Sequence, residues 1–197
     1  NLLIKKMIEK EITLKNGLKI IGHKYDDKDK ANLIKLFNTW IEYKNAGKIF
    51  NQRANLPESL TEGLITLHLD NVYRKIKISK SKKGAKTKFD CYNENTKKII
   101  EVKGASIPND LSSWSPKPFF DLFYFVDFSS LDGKYNIYEL NISSSSSKFL
   151  GVKNKEGKTN AQLMRAGRRP RFSIIEEFIN KKVGCNGEPL VSGDLNK

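Results

Sequence analysis

Cysteine, histidine and long apolar runs are what this sequence has least of. Its two cysteines, Cys91 and Cys185, stand far apart and outside any Cys-x-x-Cys spacing, so neither zinc nor a disulfide framework is indicated. Two histidines, His23 and His68, are too few for a histidine-built nuclease or phosphatase centre. His68, among Leu64, Leu67 and Leu69, reads as a packing or surface residue. No apolar run approaches the ~20 residues of a membrane-spanning helix. The first residues also lack the basic region, apolar stretch and small-residue cleavage site of a signal peptide, so a reducing, cytoplasmic setting is expected. No Pro/Gly/Ser-rich linker divides the 197 residues, and a single domain is expected.

Acidic residues are also in deficit. Thirty-six Lys and Arg against 22 Asp and Glu give a net charge of +14. A field of that sign attracts polyanions, with nucleic acid first and a membrane surface as the competing partner, because each neutralised phosphate releases a counterion. An apolar fraction of 38%, with 11 Phe, is enough for a folded core.

Along the chain, Leu3, Ile4, Met7, Ile8 and Ile12 recur near helical spacing and predict an opening amphipathic helix. A second helix is expected from about Lys28 to Ala46, with Leu33, Leu36, Phe37, Trp40 and Ile41 as its stripe and Gly47 as its stop. A third begins near Pro57 and runs to Leu69. It carries Leu56, Leu60, Leu64 and Leu67 on one side, and Glu62 with Ile65 and Leu69 on the other. Val72, Ile76 and Ile78 alternate with Tyr73, Lys75 and Lys77 as in a strand with one buried face. The lysine-rich stretch 79–88 reads as a basic loop, with Lys82, Lys83 and Lys86 available to phosphates.

The stretch 88–104 predicts a β-hairpin with Asp90 on its first strand, turn residues at Asn93 to Thr96, and Ile99, Glu101 and Lys103 on one face of its return strand. After an irregular segment through Trp114 and Pro116, Leu122 to Phe128 has the length and apolar content of a buried strand. Another strand follows the Asp132-Gly133 turn, with Tyr135, Ile137 and Glu139 alternating with Asn136, Tyr138 and Leu140. Ser143 to Ser147 read as a loop or hinge. A basic block from Gln162 to Arg171 precedes a last helix with Ile174, Ile175, Phe178 and Ile179 inward, closing at Gly184. The polar tail from 185 onward reads as a peripheral extension.

Two carboxylates and a lysine on neighbouring strands are suited to phosphodiester hydrolysis. Asp90 and Glu101 are hard-oxygen ligands for magnesium, the Val102 backbone carbonyl is a further donor, and Lys103 can steady a pentacovalent phosphorane or orient water. Gly151 to Thr159 approaches a phosphate-binding loop but has five residues between Gly151 and Gly157 instead of four, so nucleotide hydrolysis is not expected.

Asp90, ten residues, then Glu101-Val102-Lys103 resembles the PD-(D/E)xK nuclease motif, with Phe89 where the motif's name has proline. The stretches 55–63, 110–128 and 167–174 are similar to segments of small type II restriction endonucleases. The resemblance covers roughly residues 50 to 180. It implies an α/β fold with a restriction-endonuclease-like core, a mixed β-sheet flanked by helices. It further implies a prokaryotic, magnesium-dependent homodimer, with manganese able to substitute, that cuts double-stranded DNA beside a cognate DNA methyltransferase. Asp90 and Glu101 would be metal ligands, Lys103 the catalytic lysine and Glu62 the helix acid.

The expected layout is N-terminal helices 1–50, a catalytic core 51–142, a DNA-recognition and C-terminal helix region 143–184, and a tail 185–197. DNA contacts are expected from Gln162, Arg165, Arg168, Arg169, Arg171, Lys82, Lys83, Lys86, Ser115 and Lys117, since arginine reads guanine and glutamine reads adenine. Two alternatives remain open at this point. One is a structure-selective nuclease of the junction-resolvase or repair type. The other is a non-catalytic basic nucleic-acid-binding protein in which Asp90, Glu101 and Lys103 form a surface ion cluster.

Overall fold

The structure, a computed structural model, describes residues 8–81, 86–130 and 132–196. It divides into two compact units, Asn1–Lys98 and Ile99–Lys197. Both mix helix and strand, as the α/β expectation requires.

Among the described residues the first unit opens on a hairpin, β1 (Ile8–Thr13) and β2 (Lys19–Lys24), so Ile8 and Ile12 of the expected opening helix lie on a strand, while Leu3, Ile4 and Met7 lie outside the described residues. Ile12 and Leu14 are buried while Glu11 and Thr13 are exposed, an alternation that suits a strand, and Ile12 pairs with Ile20 across a turn through Gly17. The decisive partner is non-local, so the helical spacing of Ile8 and Ile12 misleads. Gly22 sits where the sheet leaves little room for a side chain. A Cβ there would lie 2.7 Å from the Ile12 side chain and 2.9 Å from that of Tyr73.

Helix α1 (Asp27–Lys48) matches the expected element, with Asp26 and Asp29 forming a reciprocal cap at its start. Leu33, Phe37 and Trp40 are its buried stripe. Helix α2 (Glu58–His68) starts after Pro57 as expected. It packs on α1 so closely that a Cβ on Gly63 would meet Leu33 at 2.7 Å.

Strand β3 (Val72–Lys80) pairs antiparallel with β2 and with the short β4 (Cys91–Asn93). Its expected buried face ends early. Pairing with β4 stops at Arg74, and beyond it Ile76 and Ile78 are 43% and 38% exposed. Asp90 precedes β4 and does not lie on it. The Asn93 side chain then accepts from the Asn95 and Thr96 amides, making the expected turn.

The second unit is built on β5 (Lys98–Ala105), whose first residue closes the first unit. β5 pairs in parallel with β7 (Leu122–Asp127), which pairs antiparallel with β8 (Lys134–Leu140). A parallel pair needs a long crossover, and residues 106–121 supply it. Within that crossover β6 (Ser112–Ser113) pairs with β9 (Arg171–Phe172). Trp114, Phe120, Phe123, Phe149, Phe172 and Phe178 fill the core beneath.

The serine run is only partly loop, because Ser146 caps a short helix, α3 (Ser147–Leu150). A second short helix, α4 (Asn160–Arg165), opens the basic block. The expected last helix is a π-helical turn, Ile175–Ile179, that buries Phe178 and Ile179. The tail is not peripheral: β10 (Val191–Asp194) adds an antiparallel edge to β8, and Leu195 is 1% exposed. Replacing Leu195 with alanine is therefore expected to cost about 2–5 kcal/mol. A urea titration showing no change in midpoint would return the tail to a passive role. Among the described residues no helix is long and apolar enough to cross a membrane.

Candidate active site and DNA interface

In the first unit the acid expected on a half-apolar helix face is deeply placed. Residues 60–66 of α2 are all buried, Glu62 among them, and its carboxylate accepts a hydrogen bond from the Arg74 guanidinium. Burial raises the Glu62 pKa, while the hydrogen bond and charge of Arg74 oppose the shift. Burial works against the charge of Arg74, but Glu62 and Tyr25 more than offset it, so the guanidinium is held firmly protonated. Arg74 is absent from the sequence reading. Its signal was its parity on β3, two residues from the buried Val72.

Arg74 pairs across the sheet with Cys91, whose thiol is fully buried and pushed well up, first by burial and then by the charges of Glu62 and Asp90. Cys91 is thus a packing residue, with no thiolate to offer. Both acids act on it, so the helix acid and Asp90 share one neighbourhood. Lys75 fastens that neighbourhood at two points. Its backbone N–H donates to the Asp90 carbonyl at 2.9 Å, and its ammonium reaches the Thr87 carbonyl at 2.6 Å while lying 4.4 Å from the centre of the Phe89 ring.

In the second unit Glu101 and Lys103 share one face of β5, as their spacing implies. Lys103 Nζ lies 2.5 Å from Glu101 Oε1, with both side chains largely but not wholly covered. The ammonium also lies 5.2 Å from the centre of the Trp114 ring. Val102, between them, turns its side chain into the core. Asp121 holds the start of the strand: its carboxylate accepts from the Ile99 amide at 2.8 Å, and its own amide donates to the Ile99 carbonyl.

Among the residues expected at DNA, Arg165, Arg168, Arg169 and Arg171 are exposed, and so are Lys86 and Lys117. Lys82 and Lys83 lie outside the described residues. Gln162 is exposed, but its carbonyl oxygen accepts from the Thr159 amide at 2.8 Å, which ties it into the cap of α4. The pairing of Ser113 with Arg171, and a 3.0 Å bond from the Trp114 amide to the Pro170 carbonyl, bring the two basic segments of this unit together. Ser115, whose hydroxyl accepts from the Lys117 amide, follows directly. The result is a basic ribbon set on an aromatic floor, where Phe172 stacks on Trp114 at 5.6 Å and 12°.

Comparison with known proteins decides among the readings of this chemistry. The family model of the Bsp6I restriction endonuclease matches residues 25–181. The chain belongs to the Bsp6I restriction endonuclease family. It is 28% identical over 170 residues to the type II restriction enzyme Bsp6I of Bacillus sp. (strain RFL6), an alignment covering 85% of this chain and 88% of that protein. No solved structure matches the chain. Membership makes this restriction endonuclease a hydrolase that cleaves double-stranded DNA at specific sequences, and it excludes the non-catalytic binding module. Enzymes of the type generally use divalent metal ions.

Proposed function

We propose that this restriction endonuclease hydrolyses DNA with magnesium, using Asp90 and Glu101 as metal ligands, Lys103 as the catalytic lysine and Glu62 as an accessory acid. The observation that carries the reading is the 2.5 Å bond between Lys103 and Glu101 on one face of β5, in a chain of this family. The donor set suits the ion. Among the described residues no three His, Cys, Asp or Glu side chains are clustered to hold a metal. Two carboxylates and a backbone carbonyl are the hard-oxygen donors magnesium takes, and it keeps waters at its remaining positions. Manganese, equally hard, is expected to substitute. Bound there, the cation supplies charge neutralisation at the scissile phosphate and a more acidic water.

The chain's own groups do the remaining work. A water oxygen attacks phosphorus and gives up a proton to solvent, the P–O bond to the departing sugar oxygen breaks, and that oxygen takes up a proton from solvent. Lys103, anchored at Glu101, orients the attacking water and offsets the charge that builds on the phosphoryl oxygens. Glu62, whose charge Arg74 favours against the effect of burial, adds an acid in the neighbourhood of Asp90. Lys75 holds the backbone that presents Asp90.

Arg165, Arg168, Arg169 and Arg171, with Ser115 and Lys117, are proposed to meet DNA along the β6–β9 ribbon. Arginines there are suited to guanine edges and Lys117 to phosphate. Gln162 has less freedom for adenine while it caps α4. Lys86, with Lys82 and Lys83, is proposed to hold phosphate. The family match runs through the boundary at Lys98 and Ile99, which supports one nuclease domain over the whole chain. Cutting both strands of a palindromic site is natural for a homodimer, since two-fold symmetry then serves both. A cytoplasmic role beside a protecting methyltransferase completes the proposal.

The test is cleavage of plasmid DNA. Discrete fragments are expected with magnesium and none with EDTA; fragments that persist in EDTA would remove the metal, and random nicking would remove site selection. Affinity for duplex is expected to fall with salt by about 0.9 log unit per log unit of salt for each phosphate neutralised.

A further inference from the structure

We infer that Trp114 is a positioning residue for Lys103, its indole face holding the ammonium where it acts. The inference rests on the reading of Lys103 as the catalytic lysine. Lysine carries its charge on a flexible four-carbon stem, so an unrestrained ammonium samples several positions. Here it is fixed from two sides, by Glu101 Oε1 at 2.5 Å and by the ring of Trp114 at 5.2 Å. The face of an indole is the negative end of its quadrupole, and tryptophan gives the strongest cation–π contact of the aromatic residues.

Trp114 is itself immobile. It is 0% exposed, meets Phe123 and Phe149 edge-on at 5.0 Å and Phe120 at 5.5 Å, and stacks on Phe172. Its backbone is tied to Pro170. The ring therefore cannot swing away and take Lys103 with it. Its contact holds the amine on the same side as Glu101 and takes up no lone pair of that carboxylate itself, so those not bonded to Lys103 stay available to a cation. A purely packing tryptophan would need none of this alignment with a charged neighbour. Small displacements matter at such a site, since an error of about 1 Å in a reacting group can lower a rate 100-fold.

The test compares Trp114→Leu, Trp114→Phe, Lys103→Met and the double variant Trp114→Leu/Lys103→Met on a cleavable duplex. Trp114→Leu is expected to lower kcat by about 10- to 100-fold with KM and duplex affinity unchanged, and Trp114→Phe, which keeps a π face, to restore most of the loss. In the Lys103→Met background the leucine substitution is expected to cost nothing further. An equal added loss there would mark Trp114 as structural and overturn the inference. If Lys103→Met itself cuts normally, the underlying reading of Lys103 fails instead. Should Trp114→Leu not fold, Trp114→Phe and fluorescence decide. With Trp40→Phe leaving Trp114 as the sole indole, Lys103→Met is expected to shift its emission, and an unchanged spectrum would refute the contact.

Discussion

Replacing Lys103 with alanine is expected to lower the cleavage rate by about 10²–10³-fold, the loss typical of one preorganised electrostatic group, while duplex affinity stays as it was. The Glu101–Lys103 pair is largely covered, with 17–21% of its side-chain surface open to solvent, so removing Lys103 leaves Glu101 without its partner and is expected to cost some stability as well. A urea titration of the variant separates the two losses: a protein still folded under assay conditions places the lost rate in the chemistry. In addition, a single lysine is a small part of a net charge of +14, so the field that draws DNA toward the protein barely changes. Binding to a labelled duplex in EDTA and cleavage in magnesium measure the two quantities independently. Unchanged cutting would remove Lys103 from the mechanism. A parallel loss of binding and cutting would make it a phosphate contact.

The pairing of Glu101 with Lys103 was legible because the two lie close together along the chain. Glu101 and Lys103 share a face through the two-residue period of a strand, and α1, α2, β7 and β8 follow from equally local patterns. The misreadings share a different cause. Ile8 to Thr13 form a strand because Ile12 meets Ile20, and the tail forms a strand because Val191 meets Ile137, partners that no local period reveals. Ile76 and Ile78 carry the alternation of a covered strand, yet β4 is too short to continue beside them. Glu62 stood out as an acid on an apolar face. Arg74, twelve positions away, is the reason such an acid is tolerated, and β3 had to pack on α2 before the two could be seen as a pair. The role of Trp114 was likewise hidden, because its neighbours Lys103, Phe149 and Phe172 come from three separate segments.

The second large effect is expected at that pair. Arg74→Met should destabilise the protein toward the lower end of the about 3–5 kcal/mol that follows when one partner of a buried ion pair is removed, because 23% of the Arg74 side chain reaches water. The loss should depend on pH in a definite sense. The folded-state pKa of Glu62 is already raised above its ordinary 4.5 by burial, so its share of stability is full below that value and declines as pH rises through the folded value. Without Arg74 the principal group opposing the shift is gone. The folded pKa then rises further and the window of declining stability widens upward. Urea titrations of the two proteins should diverge most near neutrality and converge below pH 4.5, where Glu62 becomes protonated in both. A difference independent of pH would mean that the lost guanidinium matters for packing alone. Adding Glu62→Gln to Arg74→Met removes the stranded charge and should recover part of the stability, since an ion pair replaced on both sides costs far less than one broken. Cleavage by this double variant then separates two roles for Glu62. Stability regained without activity places the carboxylate in the chemistry, whereas recovery of both leaves the pair as a support for the backbone that carries Asp90.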